Sequence, residues 1–104
     1  MTLKTGVKLE GLVPQLVLAL GIADGIWKLR GVELTVTSLN DGQHKDGSLH
    51  YVGRAADLRV KNVPQGLRER AVSALRAALG GDFDVLHEGV GTDNEHVHVE
   101  YDPK

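Results

Sequence analysis

The histidines are the residues in this chain with the most chemistry to offer. Five occur among 104 residues, at positions 44, 50, 87, 96 and 98, and four of them fall in loops or at strand ends rather than on helices. Imidazole is a common metal ligand, so this placement points to metal binding. In His96-Val97-His98 the two rings are two residues apart. On a strand they share a face and can converge on one point, although an ordinary surface or core pair has the same spacing. His87-Glu88 looks like a ligand pair, but neighbours on a strand face opposite ways, which favours a structural role. A second cluster runs Ser48-Leu49-His50-Tyr51-Val52-Gly53-Arg54-Ala55-Ala56-Asp57. There His50 leads into a tight passage and Gly53 permits an unusual backbone angle or a close approach. Small Ala55 leaves room beside the site, and Asp57 projects from a strand.

This second cluster resembles the zinc D-alanyl-D-alanine carboxypeptidases and L-alanyl-D-glutamate endopeptidases, which share the hedgehog/DD-peptidase-like fold. Their motif Ser-x-His-x-x-Gly-x-Ala-x-Asp is matched at Ser48, His50, Gly53, Ala55 and Asp57. At ordinary residue frequencies a chance match in a chain of this length has odds of about one in tens of thousands. The family's second motif is an acidic residue or a His closely followed by the last ligand His at the start of a strand. Glu95-His96-Val97-His98 matches it in the expected order, and the resemblance spans Leu34 to Tyr101.

The resemblance implies a zinc cofactor held by His50, Asp57 and His98. It implies Glu95 as general base, His96 as a group that stabilises the tetrahedral intermediate, and Ser48 as a hydrogen-bond partner of the substrate or of the ligand His. Read as residues alone, Ser48 after Gly47 also suits a plain turn, and His96 a solvent-facing or hydrogen-bonded strand position. The ligand chemistry agrees with zinc. Two neutral imidazoles and one carboxylate leave a fourth position for water and lower its pKa toward 7. Strand parity puts Glu95 and His98 on opposite faces, so the general-base role requires Glu95 to lie in the turn before the strand. The run Gly89-Val90-Gly91-Thr92-Asp93-Asn94 supplies such a turn.

One departure concerns substrate grip. Family members commonly follow the first strand with Thr-Ser-Gly-Tyr-Arg, where this chain has Thr37-Ser38-Leu39-Asn40-Asp41 and no arginine. Gln43, His44 or Lys45 can supply a donor or a charge from the same loop, which reads equally as a solvated charged loop. Tyr51 can line the cleft beside His50. Arg54 and Arg59 are further alternatives, and both also suit pairing with surface carboxylates.

The elements that must position these groups are legible in the hydrophobic pattern. Leu12, Leu16, Leu20, Ala23 and Trp27 form one helical stripe, with Pro14 near the first turn and Gly31 as its close. Glu33 to Ser38 alternates as a half-buried strand, and Ala55 to Val60 as a second. After Asn62 and Pro64, the stripe Leu67, Ala71, Leu75, Ala78 and Leu79 predicts a helix that Gly80-Gly81 stops. Asp82 to His87 and Val97 to Tyr101 are the last two strands. The order α-β-β-α-β-β predicts an α+β fold, a small and mostly antiparallel sheet with two main helices. Trp27 belongs to the core, and Tyr101 to sheet packing.

Composition bounds the rest. At this length the chain is expected to form one zinc peptidase-like domain over residues 1–104. Hydrophobic residues at 41% and charged residues at 25% exclude disorder. With no cysteine, a disulfide, an iron–sulfur cluster and a thiolate zinc site are excluded, whereas a His/carboxylate metal remains open. A net charge of −2 does not suit nucleic acid. The apolar stretch Leu12 to Ala23 is too short to span a membrane. Glu10 and Pro14 interrupt the pattern of a secretory signal, so synthesis in the cytoplasm is expected, with release to the cell wall by phage lysis or carriage in a phage particle. The expected activity is hydrolysis of a peptide bond in the peptidoglycan stem by a monomeric zinc metallopeptidase. The alternative is a catalytically inactive, zinc-stabilised binding or structural module, for example a phage particle component.

Overall fold

The computed structural model describes residues 1–39 and 53–103. In chain order the elements are β1 (Thr2–Leu3), α1 (Pro14–Lys28), β2 (Thr35–Ser38), β3 (Ala55–Arg59), a 3-10 turn (Gln65–Leu67), α2 (Arg68–Leu79), β4 (Phe83–Glu88) and β5 (His96–Tyr101). The five strands form one sheet in the order β1-β2-β3-β5-β4. Among the described residues, β1 and β2 pair in parallel and the other three pairings are antiparallel. The fold is therefore α+β with two helices and a mostly antiparallel sheet, as the sequence pattern predicts.

Each helix owes its place to a stripe. Along α1, Leu16, Ala19, Leu20, Ala23 and Trp27 are buried, and Pro14 occupies the start of the helix, where its missing N–H costs nothing. Trp27 is fully buried, and its indole N–H donates to the Arg59 carbonyl at 2.9 Å, so the large ring fills the core without leaving a polar atom unsatisfied. In α2 the buried face is Ala71, Val72 and Leu75, and Gly80 at φ 77° ends the helix. Val72 takes the place that the sequence pattern gave to Ala78, which is exposed. Both helices cover one face of the sheet. Leu34, Val36, Ala56, Leu58, Val85, Val97 and Val99 meet them there in a single core.

Alternation then decides what the other face carries. In β5, Val97 and Val99 are buried among the helices, so His96, His98 and Glu100 must face away from them. In β3, Leu58 points inward and Asp57 outward, and Asp57 sits directly across from His98. Opposite the other side of β5, Glu88 pairs with His96, Leu86 with His98 and Asp84 with Glu100. The sheet thus presents an open face of histidines and carboxylates. A register shift in β2 between Val36 and Ser38 puts two β2 residues against one of β3, next to Asp57, and Thr37 Oγ1 donates to the Asp57 carbonyl at 3.3 Å.

β1 is the one described strand absent from the sequence pattern. It pairs with β2, and the backbone hydrogen bonds Thr2 N–H to Leu34 O and Lys4 N–H to Val36 O flank that pairing.

Candidate metal centre

Asp57 and His98 meet at the middle of the open face. Nδ1–H of His98 donates to Asp57 Oδ1 at 2.9 Å, and Nε2–H donates to Glu100 Oε1 at 3.1 Å. The bond to Asp57 favours the protonated imidazole most. Burial opposes it, and the second carboxylate, Glu100, adds to the favourable side, so the His98 pKa rises to about 9. This local structure suits a metal ligand. Nδ1 and the Asp57 oxygen converge on one point, while the far nitrogen is backed by a carboxylate that fixes the ring orientation.

Around this pair lie two shallow clefts that share Asp57 as a wall. One, of about 170 Å³, is lined also by Ser38, Leu39, Ala55, Glu88 and His98. The other, of about 410 Å³, takes in Lys4, Thr37, Arg59, Asn94 and His96. His96 is bound on both nitrogens: Nδ1–H donates to the Asn94 carbonyl at 2.7 Å, and Nε2 lies 3.0 Å from Glu88 Oε1 and 3.9 Å from Asp57 Oδ1. Asp57, His96 and His98 are therefore brought together as the sequence motifs imply. His50, Ser48, His44, Lys45, Tyr51 and Gln43 lie outside the described residues.

Gly53 takes the role its motif position predicts. Its φ is 72°, and a Cβ there would collide with the Gly11 carbonyl. The Gly53 carbonyl in turn accepts from Val13 N–H at 3.1 Å, just before α1. Only glycine allows the chain entering β3 to pass so close to the segment leading into α1. Of the two arginines weighed for substrate grip, Arg54 lies over the Tyr101 ring at 5.7 Å, and Arg59 is exposed at the rim of the larger cleft. Tyr101 packs against Phe83 at 5.1 Å between ring centres, in the sheet-packing role expected of it.

Glu95 departs from the role the resemblance implies. It does lie in the turn before β5, but its carboxylate follows strand parity and turns to the helix side. There Oε1 accepts from Arg68 Nη1 at 2.9 Å, and Oε2 from His87 Nε2–H at 2.8 Å. The side chain is only 5% exposed. Burial, the largest single influence, would raise its pKa. Hydrogen bonds from His87 and the Gly91 N–H, together with the Arg68 charge, outweigh that and hold the carboxyl below its ordinary value. Glu95 borders the larger cleft with Asp57 and His96, but its carboxylate is bonded to Arg68, His87 and the Gly91 N–H rather than to Asp57 or His98. Both halves of His87-Glu88 are bound as strand parity requires, His87 to Glu95 on the helix side and Glu88 to His96 on the open face.

An acidic group not singled out in the sequence lies beside the centre. Among the described residues, Asp84, Glu100 and Asp102 bring ligand oxygens within 4.8 Å of one another and could hold a metal ion. Its signal was hidden in register: Asp84 meets Glu100 only because β4 pairs with β5. Among the described residues no helix is long and apolar enough to cross a membrane. No protein-family model matches the chain, and no curated relative is found.

Proposed function

We propose that the chain is a zinc-dependent peptidase acting on the peptidoglycan stem peptide, of the D-Ala-D-Ala carboxypeptidase or L-Ala-D-Glu endopeptidase type. The observation that carries this reading is the convergence of His98 Nδ1 and Asp57 Oδ1 at 2.9 Å on the open face of the sheet, with Glu100 behind the other ring nitrogen. Asp57 and His98 would hold the ion together with His50, completing the set that the Ser48–Asp57 motif implies. When bound, zinc supplies a Lewis acid and a water acidic enough to ionise near neutral pH.

The remaining chemistry falls to the chain's own groups. On metal binding the Nδ1 proton that bonds Asp57 would have to leave, and Glu100, at 3.1 Å, would keep the other proton on His98 Nε2 so that Nδ1 is the nitrogen that would ligate. Glu88 shares the smaller cleft with Asp57 and His98 and is about half exposed, so its carboxylate is placed to exchange a proton with substrate and solvent. The role that the resemblance gives His96, a donor to negative charge developing at the carbonyl oxygen, would require Nε2 to exchange its contact with Glu88 for the substrate. Glu95 contributes from the far side, as the buried carboxylate that ties the β5 turn to α2.

Mass spectrometry of purified peptidoglycan digested by the zinc-loaded protein tests this. Stem peptides shortened at one defined bond are expected, and Asp57→Asn should yield none. Equal inertness of wild type and Asp57→Asn toward D-Ala-D-Ala, L-Ala-D-Glu and cross-linked substrates would overturn the peptidase in favour of the zinc-stabilised binding module.

A further inference from the structure

On the helix side of the sheet, His87 has a ring nitrogen that finds no hydrogen bond among the described residues. Its side chain is 7% exposed and Nδ1 is buried without a partner. The other nitrogen, Nε2, donates its proton to Glu95 at 2.8 Å. A carboxylate in that position fixes the ring, with the lone pair of neutral imidazole on Nδ1, an arrangement that metal-binding histidines commonly show.

That lone pair faces the first turn of α2. Oε1 of Glu69 lies 3.6 Å from Nδ1, too far for a hydrogen bond. Two ligand atoms each about 2.1 Å from a tetrahedral ion lie about 3.4 Å apart, so a small movement of Glu69 would let both reach one ion. Glu69 is 85% exposed and free to make that movement. Gln65, one helical turn earlier, lines the same cleft of about 230 Å³ and adds a carbonyl oxygen, with room for water. The charges agree: among the described residues that line this cleft, Glu69 and Glu95 face one cation, Arg68, whose guanidinium is engaged by Glu95 and by the Val63 and Lys61 carbonyls.

We propose that His87 Nδ1 and Glu69 form a second, peripheral site for a divalent transition-metal ion, with Glu95 supporting the imidazole from behind. Imidazole and carboxylate donors suit zinc, cobalt and nickel. The ion would join the start of α2 to the end of β4. This site does not depend on the peptidase reading, because it shares no ligand with Asp57 and His98.

A zinc titration of the whole chain, followed through the imidazole nitrogen resonances, tests it. Two steps are expected: a tight one that moves His98, and a weaker one that moves His87 Nδ1. Glu69→Ala, a change at an exposed position that leaves the core intact, should weaken the second step at least tenfold and leave the first unchanged. His98→Ala should remove the first and leave the second. A His87 Nδ1 resonance unmoved by millimolar zinc, or a second step of equal strength in Glu69→Ala, would overturn the proposal. Loss of the first step alone in the wild-type chain would count against the peptidase and not against this site.

Discussion

Replacing Glu95 by Gln separates two roles for this residue, general base and buried strut. The carboxylate is 5% exposed and accepts from Arg68, His87 and the Gly91 N–H. Removing one partner of a fully buried ion pair costs about 3–5 kcal/mol, because the other charge is left uncompensated. Arg68 is 19% exposed and keeps its bonds to Lys61 and Val63, and the amide oxygen of Gln can retain one donor. The expected loss therefore lies lower, at about 2–3 kcal/mol at pH 7. The pH dependence follows from the depressed carboxyl. Stability contributed by a group whose folded pKa is lowered is present above the unfolded value, here near 4.5, and is lost as pH falls through the folded value. Urea unfolding of wild type and Glu95→Gln between pH 7 and pH 3 measures this. The gap between them should be widest at neutral pH and close below about pH 4.5. A gap that stays constant across the range, or one below about 0.5 kcal/mol at pH 7, would refute the strut.

Three further outcomes are expected. Gly53→Ala should destabilise the chain by more than about 2 kcal/mol in urea unfolding, since it adds positive-φ strain to a collision with the Gly11 carbonyl. In the metal-free chain, the raised His98 pKa contributes stability that is complete below about pH 6.5 and lost as pH rises through about 9; thermal melts of wild type and His98→Gln should converge across that interval. Glu88→Gln should lower kcat by about 10²–10⁴-fold while leaving zinc content unchanged, in steady-state assays on stem peptides.

Much of this arrangement was legible because period-two and helical patterns are local. The alternation Leu34/Val36 and Val97/Val99, and the stripe Leu16-Leu20-Ala23-Trp27, place both helices on one face of the sheet and leave Asp57, His96 and His98 on the other. β1 was not legible: two residues carry no period, and its existence depends on the neighbouring β2 backbone. Ala78 was misplaced in favour of Val72 because several apolar residues in α2 compete for one narrow stripe. The direction of Glu95 was half legible. Parity placed it opposite His98, but its partner Arg68, 27 residues away at the start of α2, appears in no motif, and the acidity of the Glu88–His96 and Asp84–Glu100 pairs depends on a strand register that spacing does not encode.

The most direct test of the central claim is the zinc content of the full chain purified without chelator, repeated after zinc is added and excess removed. One tightly held ion per chain is expected, lost in Asp57→Asn and in His98→Gln and retained in Glu69→Ala. A chain that arrives without zinc and takes up none would contradict both the peptidase and the zinc-stabilised module.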